Sequence, residues 1–404
     1  MLEFSKEPKK RLLAGTPDGF APLVLADLVR RTGDVLHICR DDVRLADLMA
    51  ELSFYAPEIE VLSLPAWDTV PYDRVSPNTE IVARRLETLA RLHQGKGAAP
   101  RLVLTTVNAV LQRVPPTDFF SATLAVEAGK DFDEKTFHAF LERNGYQRAE
   151  QVMEPGEYAV RGGIIDVFAP GHPEPLRLDL FGDELETLRT FDPMTQRTTG
   201  QLKSFVFKPM SEVALDAEAV SRFRTGYREL FGAGISDLLY ESISEGRRFQ
   251  GMEHWLPLFH DGMDTVFAFV PEAVVSMDYQ TAETADARFG QILEYYEARV
   301  DAEKNGLSEG GIVYHPVPPV RLFLDKEEFQ RHLALRSAYE LFPFAAPTIE
   351  GQVEVLDAQG RPGKDFSAER AIPDADVYEA VRHYLDEEKK AGRKTVLTAY
   401  SAGS

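Results

Sequence analysis

Phosphate chemistry is the first possibility that the residue order raises. Near its start the chain reads Leu12-Leu13-Ala14-Gly15-Thr16-Pro17-Asp18-Gly19-Phe20-Ala21-Pro22, and an apolar-periodic stretch, Leu23 to Val29, follows. A phosphate-gripping loop needs glycines that free backbone N–H groups for the anion, a lysine for the β- and γ-phosphates, and a Ser or Thr hydroxyl for Mg²⁺. Gly15 and Gly19 have the placement, but Phe20, Ala21 and Pro22 stand where Lys and Ser/Thr are required. Asp18 repels an anion, and Pro22 removes one N–H. The loop therefore reads as degenerate for nucleotide. On this segment alone an ordinary loop into a helix is the favoured reading.

A second set of residues could do recognition chemistry. Taking Gly182-Asp183 as a two-residue type II′ hairpin turn, the strand before it alternates. Leu176, Leu178 and Leu180 then face a core, and Arg177, Asp179 and Phe181 share the other face. An exposed Phe beside an Arg is the composition of an interface anchor. A surface arginine held by Asp179 or Glu186, with Phe181 covered by a neighbouring segment, suits the same residues. In that register Arg189 falls on the leucine face, outside the candidate set. The nine histidines show no zinc-ligand spacing with a third ligand nearby, and Asp41-Asp42 reads as a helix cap rather than a metal pair. No Gly-x-Ser-x-Gly elbow supports nucleophilic hydrolysis.

These candidates sit in a chain of 404 residues, long enough for two to four domains. Strand-like runs at Val35 to Cys39, Ile59 to Leu64 and Leu102 to Leu104 alternate with helix-like segments, the pattern of a parallel sheet covered on both faces. Ser76-Pro77 reads as a helix start, with Val82, Leu86 and Leu89 on one face. From about residue 118 the texture changes to one helix (Phe132 to Asn144) and short β-type segments, Gly156 to Phe168, Leu176 to Phe181, Glu184 to Phe191 and Ser204 to Phe207. Beyond them, Thr265 to Val270 and Ala273 to Met277 have strand character. Residues 348–372 read as a linker, and a last unit from Pro373 holds a helix through Val377, Val381 and Leu385 and a strand start at Lys394 to Thr398.

The formal net charge of −20, from 65 acids against 45 bases, argues against autonomous duplex binding. A single cysteine, Cys39, excludes an internal disulfide. No run of 18 apolar residues and no secretory leader is present, so the expected setting is the cytoplasm, with no membrane partner.

The segment from Leu64 through Trp67, Pro71, Tyr72 and Ser76 to Glu80, continuing to Arg84-Arg85-Leu86, resembles the bacterial transcription-repair coupling factors, the Mfd family. Met153 to Phe168, Leu176 to Phe181 and Phe191 to Arg197 resemble the same family, and the likeness covers roughly residues 10 to 300. The resemblance implies an N-terminal, UvrB-like part of a modular protein. Residues 1–117 and 209–347 would be the halves of a degenerate RecA-like, helicase-like domain, split around a β-rich UvrA-binding domain at 118–208. A linker (348–372) and the truncated start of a small α/β domain (373–404) would follow. It further implies that ATP, Mg²⁺, RNA polymerase and duplex DNA belong to motor and polymerase-binding domains outside this chain, and that the chain has no cofactor or catalytic residue of its own. Asp278, in Val274 to Gln280, stands at the position of the strand-end acidic motif, but Tyr279 replaces the second acid that hydrolysis needs. The loop from Trp67 to Ser76 is too short for the DNA-inserting hairpin of UvrB. Base stacking by Trp67 or Tyr72 is then a minor reading beside simple packing.

In this family the positions matching Arg161, Arg177 and Phe181 lie in the UvrA contact, which favours the anchor reading. Arg161 precedes Gly162-Gly163, where a bulge would redirect its side chain. Acidic groups on UvrA would pair with the arginines. An intramolecular contact that masks this face against a C-terminal domain would add autoinhibition. The rival expectation is a working UvrB-like, nucleotide-dependent DNA-loading factor.

Overall fold

The computed structural model describes residues 2–95, 100–232, 237–306, 313–347, 353–361, 363–373 and 376–395. The chain divides into two units, Met1–Gln359 and Gly360–Ser404. In the first, strands β1 (Lys10–Ala14), β2 (Val35–Cys39), β3 (Glu60–Leu64) and β4 (Arg101–Thr106) come before an excursion. The excursion contains β5 (Leu124–Glu127), β6 (Lys130–Asp131), β7 (Gln147–Arg148), β8 (Glu157–Arg161), β9 (Ile164–Val167), β10 (Leu176–Phe181), β11 (Glu184–Phe191), β12 (Thr198–Leu202) and β13 (Ser204–Phe207). The chain then returns with β14 (Val274–Met277), β15 (Ala338–Phe342) and β16 (Glu354–Asp357).

The first and last groups form one parallel sheet in the order β16-β1-β15-β14-β2-β4-β3. Every residue of β2, β4 and β14 is buried, as strands covered on both faces must be. Helices Ala21–Thr32 and Asp42–Tyr55 close one face through Val24, Leu25, Leu28, Leu45, Leu48 and Leu52. On the other face lie Val82, Leu86 and Leu89 of helix Thr79–His93, with Val266, Ala285 and Phe329 from later helices. The mixed α/β reading with a parallel sheet therefore holds.

Several local expectations do not. Asn78 rather than Ser76 caps the helix Thr79–His93, its side chain accepting from Glu80 N at 2.8 Å. Ser76 instead donates to Glu253 and accepts from Gly251 N at 2.8 Å. Thr265 to Val270 is not a strand, because Val266–Phe269 forms a helical turn that drives its apolar side chains into the core. Glu354–Asp357, inside the stretch read as a linker, is an edge strand on β1. Trp67 and Tyr72 pack into a core with Trp255 and Phe323, and Tyr72 is fully buried. Neither is placed to stack on a base.

The excursion folds into its own sheet, ordered β12-β11-β10-β9-β8-β7 and antiparallel except where β7 pairs parallel to β8, beside a two-stranded sheet of β5 and β13. Helix Glu134–Arg143 lies on the inner face, where Phe137, Phe140 and Leu141 meet Ile165, Val167, Leu176, Leu178, Leu185 and Leu188. Buried polar groups tie this domain to the parallel-sheet body. Arg85 Nε donates to Glu212 Oε1 at 2.7 Å with both side chains buried, and Lys208 pairs with Glu87 at 2.8 Å. Arg248 donates to Ser211 Oγ and to the Val213 and Arg143 carbonyls, while burial pushes its guanidinium down to about 10.

In the second unit Asp376 caps the helix Val377–Lys390, and Phe366 meets Tyr384 edge-on. Val377, Val381 and Leu385 are half-buried. Of the strand expected from Lys394 to Thr398, residues 396–398 lie outside the described residues. Among the described residues no helix is long and apolar enough to cross a membrane.

Candidate functional site

The Gly15 loop occupies the strand-to-helix position that a phosphate site would use, but its donors point elsewhere. Gly15 N donates to the Phe344 carbonyl and Thr16 N to the Phe342 carbonyl, each at 2.9 Å. Thr16 Oγ1 donates to the Leu13 and Phe342 carbonyls, so its hydroxyl is not offered outward. Gly15 has φ +70°, whereas Gly19 has an ordinary φ and open space where a Cβ would stand. Asp18 binds Arg40 at 3.0 Å, and its carbonyl accepts from Arg44 Nη2 at 3.0 Å.

Asp278 closes the same cluster from β14. It is 2 % exposed and accepts from Arg40 N at 3.1 Å. His37 Nε2 lies 3.3 Å away and Arg44 Nε 3.8 Å away. Burial opposes its charge, but the approach of His37, the guanidinium of Arg44 and the Arg40 N–H outweigh burial and hold the carboxyl below its ordinary range. The Arg44 guanidinium, the Arg40 N–H and the His37 ring thus surround the acid that would hold Mg²⁺. His37, Cys39 and Asp278 bring one ligand atom each within 4.8 Å of one another, a grouping not legible from spacing. A metal there would need a thiolate, and burial, with Asp278 nearby, pushes the Cys39 thiol well up. The donor set suits an internally paired aspartate better than an ion.

The second candidate lies on the outer face of the antiparallel sheet. Across it run Ala159, Asp166, Arg177, Arg189 and Gln201 in register. Arg177 Nε and Nη2 donate to the two oxygens of Asp166 at 2.7 and 2.8 Å, and Asp166 is nearly fully buried. The guanidinium carbon sits 4.4 Å above the Phe191 ring, and Gln196 accepts from the remaining edge at 3.3 and 3.5 Å. Pairing with Asp166 raises the Arg177 pKa further. Arg161 is half-exposed and comes no closer to Asp166 than 3.8 Å. Phe181 is 78 % exposed at the hairpin end, with Ile164 exposed nearby on β9.

Two details of this face differ from the alternation argument. Gly162-Gly163 is a tight turn, not a bulge, because Arg161 pairs with Ile164 across it. Gly162 has φ +60°, and a Cβ on Gly163 would meet the Leu180 carbonyl at 3.0 Å. The bulge is instead in the next hairpin, where the register shifts between Asp179 and Leu180. Phe181 still pairs with Glu184 around Gly182-Asp183, but the extra Glu186 brings Arg177 opposite Arg189. Arg189 therefore lies on the outer face, paired with Asp179, and not among the leucines.

The UvrB interaction domain family model matches residues 124–212, the antiparallel domain and its buried attachment. Over 407 residues the chain is 31% identical to the transcription-repair-coupling factor of Haemophilus influenzae, covering 97% of this chain and 34% of the relative. The chain belongs to the transcription-repair-coupling factor family. The factor of Escherichia coli is 31% identical over 70% of this chain and 25% of its own length. That of Mycobacterium bovis is 32% identical over 83% and 30%. The chain spans about a third or less of the length of these relatives.

Arg161, Arg177 and Phe181 all project from one sheet of the matched domain, whereas Gly15, Gly19 and Asp278 lie in the parallel-sheet body. Sequence reasoning missed Asp166 and Arg189. A signal for each exists. Asp166 is a lone acid inside the apolar run Ile164-Ile165-Asp166-Val167-Phe168, which demands a partner. Leu185 and Leu188 are three apart yet both core, and only a bulge reconciles that spacing with strand alternation.

Proposed function

We propose that this chain is the UvrA-recruiting part of a transcription-repair coupling factor. Its parallel-sheet body is a split, degenerate RecA-like scaffold that binds and hydrolyses no nucleotide, and the antiparallel domain presents the contact. The observation that carries this reading is Phe181. A phenylalanine 78 % exposed, beside the arginines of a domain matched by the UvrB interaction model, costs solubility unless a partner covers it. The internally consumed donors of Gly15 and Thr16 support the loss of nucleotide binding.

In the whole protein, domains beyond these residues supply ATP- and Mg²⁺-driven translocation on duplex DNA and displacement of stalled RNA polymerase. The recruiting face couples that event to excision repair in the cytoplasm. A C-terminal domain resting on the same face would keep it masked until the protein opens.

Titration calorimetry of this chain with UvrA tests the reading, and saturable binding is the expected result. A fluorescent ATP analogue with Mg²⁺ should show no binding at micromolar protein. Saturable, Mg²⁺-dependent nucleotide binding would instead support a UvrB-like DNA-loading factor.

A further inference from the structure

We propose that Asp166 is the positioning residue of the recruiting face: it locks Arg177 as an internal strut and leaves Arg161, not Arg177, as the guanidinium delivered to the partner. This rests on the UvrA reading above and assigns roles within that face.

The lock is visible in the donor count. A guanidinium has five N–H groups. In Arg177, Nε and Nη2 reach the two Asp166 oxygens, a second Nη2 contact goes to Gln196 Oε1, and Nη1 reaches the Gln196 carbonyl. One N–H therefore remains for a visitor. Behind the plane, Phe191 blocks withdrawal, itself buried with Val152, Ala159 and Phe168. A planar fork held on both edges and one face cannot turn to meet a second carboxylate without first breaking a paired, desolvated contact.

Charge points the same way. Arg189 is balanced by Asp179, but Arg161 and Arg177 share the single carboxylate of Asp166. Arg177 takes that carboxylate at hydrogen-bond distance, and Arg161 stays 3.8 Å from it. Of these three arginines, the one left without a carboxylate at hydrogen-bond distance is thus Arg161, a half-exposed side chain at the end of β8. Ile164 sits opposite it across the Gly162-Gly163 turn, and Phe181 stands at the end of β10 on the same face. The partner feature that suits this arrangement is one carboxylate beside an apolar recess.

Lysine substitution separates strut from contact, because lysine keeps the charge and loses the fork. Arg177→Lys should weaken UvrA binding about as much as Arg177→Ala, roughly tenfold, since neither can bridge Asp166 and Gln196. Arg161→Lys should bind within about threefold of wild type, and Arg161→Ala should lose about tenfold. Asp166→Asn should also lose about tenfold in the wild-type background, and nothing further in an Arg161→Ala/Arg177→Ala background. A change that acted only through domain stability would cost the same in both. Wild-type affinity in Arg177→Lys, or an undiminished Asp166→Asn effect in the double-alanine background, overturns the proposal.

The ¹⁵N-detected Nε–H signal of Arg177 reads the geometry without any partner. It should be protected from solvent exchange, and the Arg161 signal should not. Equal exchange of the two overturns the assignment even if UvrA binds. If wild type binds no UvrA while Arg177 is protected, the recruiting function fails and the strut stands.

Discussion

The Gly15 loop and the hairpin around Phe181 are both built on arginine–aspartate pairs, and they differ in what the pairing leaves over. In the parallel-sheet body, Asp18, Arg40, Arg44 and Asp278 close on one another, with the Gly15 and Thr16 N–H groups bonded to carbonyls at the end of β15. On the antiparallel sheet the pairs close except at one point, where two arginines share Asp166. There a guanidinium and an aromatic ring remain facing water. Unpaired remainder, more than the number of charged residues, separates a surface that recognises from one that merely packs.

The strongest way to break this contrast is to open the closed cluster. Asp278→Ala takes the acceptor from the Arg40 N–H and one carboxylate from the buried Arg44, which keeps Glu51 at 3.3 Å, a loss of about 1.5–3 kcal/mol for a charged buried acceptor. Urea unfolding should show that loss. Phe181→Ala should shift stability by no more than about 0.5 kcal/mol, as exposed positions do. A shift below about 1 kcal/mol for Asp278→Ala would mean that the cluster is solvated and its closure overstated.

The converse test concerns binding. Phe181→Ala should weaken UvrA affinity by about 2 kcal/mol, roughly thirtyfold, while Asp278→Ala protein that remains folded binds like wild type. If Phe181→Ala binds normally, the exposed ring belongs to some other contact and the recruiting face must be sought elsewhere on the domain.

Acid sharpens the comparison further. The Asp278 carboxyl is held below its ordinary range in the folded chain, so its ionised form contributes stability above the unfolded value, about 3.9. That contribution is lost as pH falls through the folded value. The stability gap between wild type and Asp278→Asn should therefore be constant from pH 7 to about 4.5 and shrink below it. A gap that grows on acidification would reverse the assigned sign.

How much of this was readable beforehand follows from where each residue finds its partners. The strands β2, β4 and β14 announce themselves as apolar runs because both of their faces are covered, and the edge strand β3 keeps enough apolar residues to be read as well. Strand β1 does not, since it carries Lys10 and Arg11, whose charges are met by Glu340 and Glu354 on the flanking strands β15 and β16. Only the assembled sheet makes those residues strand-compatible. On the outer face of the antiparallel sheet, alternation placed Arg177, Asp179 and Phe181 together, but only Phe181 is exposed, since Arg177 and Asp179 are half-buried by their own pairings. The partner of Arg177 was not legible, because Asp166 lies 11 residues away on the adjacent strand. Arg189 was misplaced because alternation assumes one residue per step, and Glu186 adds one.

The smallest effect probes the loop that first suggested phosphate chemistry. A working cradle needs its glycines, either for positive φ or for the close approach of an anion to backbone. Gly19 has neither requirement here: its φ is ordinary and a Cβ there meets open space. Gly19→Ala should therefore leave UvrA binding unchanged and shift stability by at most about 0.5–1 kcal/mol, upward if the lower entropy of the unfolded chain dominates. Gly182→Ala, at φ +63°, must strain the type II′ turn and should be destabilising by comparison. Measured side by side, the pair asks whether the two glycine turns obey the same division as the two charge clusters. A Gly19→Ala loss as large as that of Gly182→Ala would show that the loop still depends on glycine, and would revive the case for an anion there.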